Sequence, residues 1–354
     1  MTEARASHRT DTIEARRLDF DAIPVIDIGP LFGPDDASGR QVADRIGEAC
    51  RRIGFFYVTN HGIPQATIDA LIAETRRFFH LPLEEKLKVD IMGVQRHRGY
   101  VPHGGLYADV NARPDLQEGY EVSLELPEDD PDYRAGSIMY GPNVWPEDLP
   151  GFREGVYAYY EAAHALGRTL FRAFEMTLGL PRHWFDDKID KPMGQLRLIY
   201  YPPQEGPIDP RQIGVGAHTD YECFTLLLQD DAGGLQVGSR DGEWVEATPI
   251  PGAIVVNIGD MLMRWTNDEF VSTPHRVITR SGRERLSFPF FFGTNHDCIV
   301  RPLPQFTGPG RPPKYPPTRC GWWTESMLTA VYEYRKTARG TVPNPELSGE
   351  AAAD

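Results

Sequence analysis

The apolar positions change period along the chain, from helical spacing in the first half to short strand-like runs in the second. From Ser38, the residues Val42, Ile46, Ala49, Cys50 and Ile53 keep helical spacing behind a serine cap, which predicts an amphipathic helix to about Arg52. A second helix is expected after Pro64, with Ile68, Leu71, Ile72, Phe78 and Phe79 on one side. A long third helix runs from Phe152 to about Leu178, its stripe passing through Val156, Tyr159, Tyr160, Ala163, Leu170 and Phe174. Among these, IPVIDI (23–28) alternates as a short strand, and GFFYVTNHG (54–62) reads as a buried strand that ends in a turn holding His61. After Pro181 come seven short apolar runs bounded by Gly, Pro and Asp: GQLRLIYYP, HTD with FTLLLQ, GLQV, WVEAT, AIVVNIGDML, HRVITR and RLSFPFFF. Strands this short and closely spaced argue for a jelly roll rather than repeated β–α units. The expected class is therefore mixed α/β, an all-β core flanked by α-helices, with one more helix from Thr324 to about Arg335.

This pattern divides the chain into four stretches. Residues 1–22 are polar and read as a disordered tail, 23–180 as an N-terminal region of helices and strands, 181–300 as the jelly-roll catalytic core, and 301–354 as a C-terminal helix and tail. Residues 90–150 are rich in Gly, Pro and Asp with weak periodicity, and so long a stretch inside a compact domain is expected to be an active-site lid or substrate loop. A length of 354 residues admits two domains, but jelly-roll enzymes with helical decoration run this long as one unit.

Composition narrows the function. A net charge of −14 argues against nucleic acid and against an anionic membrane, leaving a small molecule as the expected partner. Cys50, Cys223, Cys298 and Cys320 show no paired spacing, so neither a disulfide framework nor a zinc knuckle is indicated. With no apolar run approaching 18 residues, a cytoplasmic protein is expected. No glycine-rich phosphate loop precedes a helix and no nucleophile elbow is present, which disfavours nucleotide cofactors and Ser-His-Asp hydrolysis.

The chemistry concentrates around GVGAHTD (214–220). His218 and Asp220 are two positions apart, where a strand turns both side chains to one face. His275 opens a later run, and Arg285 and Ser287 share a face of the next. Singly, these are ordinary core histidines and a surface cation. Together, two imidazoles and a carboxylate form the facial triad that suits non-haem Fe(II), with open positions for substrate and O2. A nearby guanidinium can then grip a carboxylate with two parallel hydrogen bonds, and the Ser287 hydroxyl can add a third.

His218-x-Asp220, His275 another 55 positions on, and Arg285-x-Ser287 ten beyond that resemble the isopenicillin N synthase-like branch of the Fe(II)/2-oxoglutarate-dependent oxygenases. The resemblance extends over IPVIDIGPL (23–31), GFFYVTNHGI (54–63), LPLEEK (81–86) and YYPP (200–203), so it covers roughly residues 23 to 300. It implies a distorted double-stranded β-helix, Fe(II) on His218, Asp220 and His275, and 2-oxoglutarate held by Arg285 and Ser287, with Tyr201 adding a hydrogen bond. It also implies O2 as oxidant, succinate and CO2 as products, and hydroxylation of a small organic substrate. By position, His97, Arg98 and Tyr100 correspond to the family's substrate-lining segment. An oxidase that uses no 2-oxoglutarate, and an ethylene-forming enzyme, are the alternatives within the branch. The latter is disfavoured because Tyr200 stands where its pattern has a substrate-binding arginine. A zinc hydrolase or a metal-free binding module would have to do without a recognisable general base or without a use for the ligand set.

Overall fold

The structure, a computed structural model, describes residues 15, 23–34, 37–94, 96–106, 115–204, 213–279, 282–332 and 335. The predicted N-terminal tail, apart from residue 15, and the chain beyond residue 335 lie outside these described residues. Twelve strands build the core: β1 (Val25–Asp27), β2 (Phe55–Thr59), β3 (Gly99–Val101), β4 (Glu118–Ser123), β5 (Gln195–Tyr201), β6 (Val215–His218), β7 (Phe224–Gln229), β8 (Leu235–Gly238), β9 (Trp244–Glu246), β10 (Ile254–Ile258), β11 (His275–Val277) and β12 (Arg285–Phe292). Eight of them form one sheet in the order β1-β2-β10-β7-β12-β5-β4-β3, and four form a second in the order β6-β11-β8-β9. Only β1 and β2 pair parallel; the other ladders of these two sheets are antiparallel.

Period-2 alternation decides what each strand faces. On β12, Leu286, Phe288, Phe290 and Phe292 point into the helix-covered core, whereas Arg285 and Ser287 point the other way. On β5, Leu196 and Leu198 join that same core, while Ile199 and Tyr201 join a second apolar layer with Val215, Val237, Val255 and Val277. This second layer draws on both sheets, so it is the filling of a two-sheet sandwich.

Helices cover the outer face of the large sheet. Helix α1 (Ala37–Arg52) buries Val42, Ala43, Ile46, Ala49 and Cys50, and α2 (Gln65–Phe79) buries Ile68, Leu71, Phe78 and Phe79. The long helix Phe152–Leu178 packs so tightly that a Cβ added at Gly167 would lie 2.1 Å from the Phe292 ring. Glycine is what lets helix and sheet approach this closely.

Four details differ from the sequence reading. HTD and FTLLLQ are not one run: β6 ends at His218 and β7 begins at Phe224 in the other sheet, so the chain changes sheets across Asp220. AIVVNIGDML breaks at Ile258 into a short helix, Asp260–Trp265. The stretch 90–150 is not all loop, because β3 and β4 extend the large sheet at its edge; both are too short and too flanked by Gly and Pro to show a period. The C-terminal helix spans Cys320–Val331, starting earlier than expected. Among the described residues no helix is long and apolar enough to cross a membrane.

Candidate active site

Three donor atoms converge between the sheets. His218 ends β6 and His275 opens β11, and the antiparallel register pairs them directly, with ring centroids 4.3 Å apart. Asp220 lies just past the end of β6 rather than on it, and its Oδ1 is 3.6 Å from Nε2 of both histidines. All three ligand atoms lie within 4.8 Å of one another, a spacing one ion can bridge.

Hydrogen bonds around the trio prepare it for a cation. Asp220 Oδ2 accepts from Thr225 Oγ1 (2.5 Å) and from Asn257 Nδ2 (2.6 Å), which leaves Oδ1 turned to the histidines. His218 Nδ1 donates to the Gly216 carbonyl at 2.8 Å and His275 Nδ1 to the Thr273 carbonyl at 3.3 Å. A carbonyl can only accept, so Nδ1 carries the hydrogen in each neutral ring and Nε2 keeps its lone pair for the shared point. Burial holds the His275 imidazole down at about 4, against the pull of Asp220, so it is neutral at physiological pH. Burial raises the Asp220 carboxyl, but the neighbouring His275 and His218 outweigh it and keep the group ionised well below the usual range. Burial lowers His218 too, yet its contact with Asp220 raises it on balance.

Arg285 lies opposite Tyr201 in the ladder, 1 % exposed, its guanidinium 4.7 Å over the Tyr201 ring. Its Nε donates to the Gly233 carbonyl (2.7 Å) and its Nη2 to Gln229 Oε1 (3.2 Å), while Nη1 is buried without a partner. Ser287 follows on the same face, buried beside Ile199. An orphaned guanidinium nitrogen fixed in this way fits an incoming carboxylate, and the His-Asp-His set fits a divalent transition metal with positions left open. Arg285 belongs to the large sheet and His275 to the small one, so the arginine and the trio are carried by opposite sheets of the sandwich.

The segment at 97–100 stands behind the cavity wall, with His97 against the lining residues Gln195 and Tyr332. Arg98 is fully buried and donates to the carbonyls of His97 and Met139. His97 packs edge-on against the Tyr332 ring at 4.7 Å, and Tyr100 donates to Glu118 Oε2, which also takes Lys86 Nζ. A cavity with about 490 Å³ of atom-free space, part of it open to solvent, adjoins His218 and Asp220, and its described lining includes none of these three. It does include Gln195 and Arg197 of β5, Glu222, and Tyr332 beyond the C-terminal helix. Burial, helped by Asp220 and Asp260, pushes the Glu222 carboxyl up to about 8. None of these four is singled out by the sequence, although Gln195 and Arg197 carry a signal: polar side chains at alternate positions of an otherwise apolar strand, on its inner face.

Comparison with known proteins gives the same picture. Residues 23–148 match the family described as non-haem dioxygenase in morphine synthesis N-terminal, and residues 192–294 match the 2OG-Fe(II) oxygenase superfamily. A 2-oxoglutarate-Fe(II) type oxidoreductase of Emericella nidulans is 37% identical over 337 residues, covering 94% of this chain and 95% of the relative. A homoarginine-6-hydroxylase of Arabidopsis thaliana is 39% identical, covering 80% of this chain and 88% of its own. The crystal structure of a full-length Neurospora crassa protein in complex with alpha-KG and thymine superposes with a TM-score of 0.76 at 30% identity, covering 88% of this chain and 98% of that one.

Proposed function

This chain belongs to the isopenicillin N synthase-like branch of the 2OG-Fe(II) oxygenases and is a 2-oxoglutarate-dependent dioxygenase; from that premise we propose that it hydroxylates a small organic substrate, with His218, Asp220 and His275 as the iron ligands and Arg285 with Ser287 as the cosubstrate clamp. The observation that carries the assignment is the convergence of two Nε2 atoms and one carboxylate oxygen, each turned inward by a hydrogen bond on its far side. Fe(II) and 2-oxoglutarate together supply oxidative decarboxylation to succinate and CO2, coupled to oxidation of a C–H bond by O2.

The protein's own groups prepare this chemistry. Thr225 and Asn257 hold the Asp220 carboxylate in one orientation, and the Gly216 and Thr273 carbonyls hold the imidazoles in one tautomer. Arg285 presents Nη1 to the far carboxylate of the cosubstrate, with the Ser287 hydroxyl alongside. Tyr201 positions this fork with its ring face and offers its hydroxyl to the cosubstrate. Hydroxylation is favoured by the homoarginine-6-hydroxylase relative. Tyr200 stacks on Phe79 at 5.4 Å on the helix side of the sheet, so position 200 faces away from the cavity, against the ethylene-forming alternative. We place the enzyme in the cytoplasm, where its four unpaired cysteines suit a reducing setting, and assign it no nucleic-acid partner because of its negative charge.

The reading is tested by following succinate with Fe(II), 2-oxoglutarate and O2 present or singly omitted, across a panel of small organic substrates. Succinate formation stimulated by a substrate that gains one oxygen is expected. A product formed in the complete absence of 2-oxoglutarate would overturn it.

A further inference from the structure

The cavity beside His218 and Asp220 is lined by a buried arginine, Arg197, that the oxygenase chemistry does not use. Arg197 has a side chain only 7% exposed, and its Nη2 is buried without a partner. The carboxylate it pairs with is Glu121, 3.1 Å from Nε, on the adjacent strand. Glu121 is already engaged: one oxygen accepts from Tyr332 Oη at 2.6 Å, the other from Gln195 Nε2 at 2.7 Å. Leaving a guanidinium nitrogen unpartnered in a buried site costs free energy unless something arrives to fill it. The floor beneath the guanidinium is bare backbone, since a Cβ added at Gly119 would come within 3.0 Å of Arg197 Nε and 3.1 Å of Nη2.

The surroundings of this group define a ligand. Arg197 and Tyr201 lie on the same face of β5 four residues apart, about 13 Å along a strand. Arg285 sits opposite Tyr201, so the two arginines serve different ends of the sandwich and two carboxylates have separate partners. The walls around the Arg197 end are apolar, supplied by Leu106, Val215, Phe291, Leu328 and Val331. We propose, building on the oxygenase reading above, that Arg197 receives a carboxylate of the substrate, so that the enzyme oxidises a compact carboxylic acid. Its apolar body lies against these walls and its reactive carbon is carried toward His218 and Asp220. Arg197 is thus a substrate-binding residue, and Glu121, Gln195 and Tyr332 are positioning residues that hold its fork open.

The test is isothermal titration of the full-length protein with three matched pairs: benzoate and benzamide, phenylacetate and phenylacetamide, 3-phenylpropionate and 3-phenylpropionamide. Each is measured with metal-free protein and with protein loaded anaerobically with Fe(II) and 2-oxoglutarate. The best-bound acid is expected to exceed its amide about tenfold or more in affinity. Arg197→Gln should abolish that preference, and Arg197→Lys, which keeps a counter-charge for Glu121 should the first variant fold poorly, should retain only part of it. Affinity for 2-oxoglutarate should stay within about threefold of the wild type in both. Equal affinities for acids and amides in the wild type, or a preference that survives Arg197→Gln, would overturn the proposal. An acid preference that depends on Arg197 in a protein that never forms succinate would uphold this site and remove the oxygenase reading instead.

Discussion

Asp220 divides its two oxygens between two tasks, and the residue-scale predictions follow from that division. Oδ1 faces the histidines, while Oδ2 is held by Thr225 and Asn257. His218→Ala, Asp220→Ala and His275→Ala should each leave a folded protein whose Fe(II) content after anaerobic reconstitution falls to near zero; two such variants retaining iron and turnover would show the ligand set to be wrong. Thr225→Val tests the support rather than the ligand. It should weaken metal binding about tenfold or more, read by Co(II) titration, with the far-UV spectrum unchanged. The clamp is tested by 2-oxoglutarate affinity. Losing a buried, bidentate carboxylate partner costs about 2 to 5 kcal/mol, so Arg285→Gln should raise the dissociation constant far more than Arg285→Lys, which keeps charge without the fork. An unchanged titration in Arg285→Gln would remove the clamp. The trio and Arg285 were legible in the sequence because His-x-Asp, His and Arg-x-Ser are rare types at fixed spacing. Arg197 was not singled out, because its alternation with Gln195 along an apolar strand marks an inner face but not what that face adjoins. Glu222 and Tyr332 gave no signal at all, since what brings them together is the fold.

At the scale of elements, strands β5 and β12 work with both faces. Their outer faces supply Leu196, Leu198, Leu286, Phe288, Phe290 and Phe292 to the helix-covered core, and their inner faces supply Arg197, Tyr201, Arg285 and Ser287 to the sandwich. Anything that shifts these strands against the long helix therefore moves the clamp. Gly167→Ala sets a methyl group against the Phe292 ring and should cost about 1 to 3 kcal/mol in urea unfolding, the usual effect of overpacking. Phe292→Ala, which empties a site packed against Phe171, Phe224 and Phe290, should cost about 3 to 5 kcal/mol. Wild-type stability in Gly167→Ala would contradict the close approach. The three long helices of the first half were legible to within a few residues, because a 3.6-residue stripe over four or more turns is a strong signal, whereas one-turn helices such as Asp260–Trp265 show no period. The strands were legible as apolar runs. Their division between two sheets was not, because pairing partners are set by contacts distant in sequence: nothing local in HTDYECFTLLLQ marks the change of sheet after Asp220. Strands β3 and β4 were hidden for a simpler reason, being short runs among Gly, Pro and charge.

At the scale of the molecule, a chain of net charge −14 buries several arginines, of which Arg197 and Arg285 face the interior of the sandwich from two ends. An overall charge of −14 describes the whole chain and does not decide what a cavity lined by the buried Arg197 guanidinium can hold. His218, Asp220 and His275 are proposed to hold Fe(II) within reach of a keto acid anchored by Arg285, and anaerobic visible spectroscopy reads that arrangement at the metal itself. Fe(II) protein given 2-oxoglutarate should develop a metal-to-ligand charge-transfer band, because a chelating keto acid brings a low-lying acceptor orbital to the ferrous ion. The band should be absent in Asp220→Ala and should require much more 2-oxoglutarate in Arg285→Gln. No band in the wild type, or one that persists unchanged in both variants, would mean that these residues do not hold iron beside a bound keto acid.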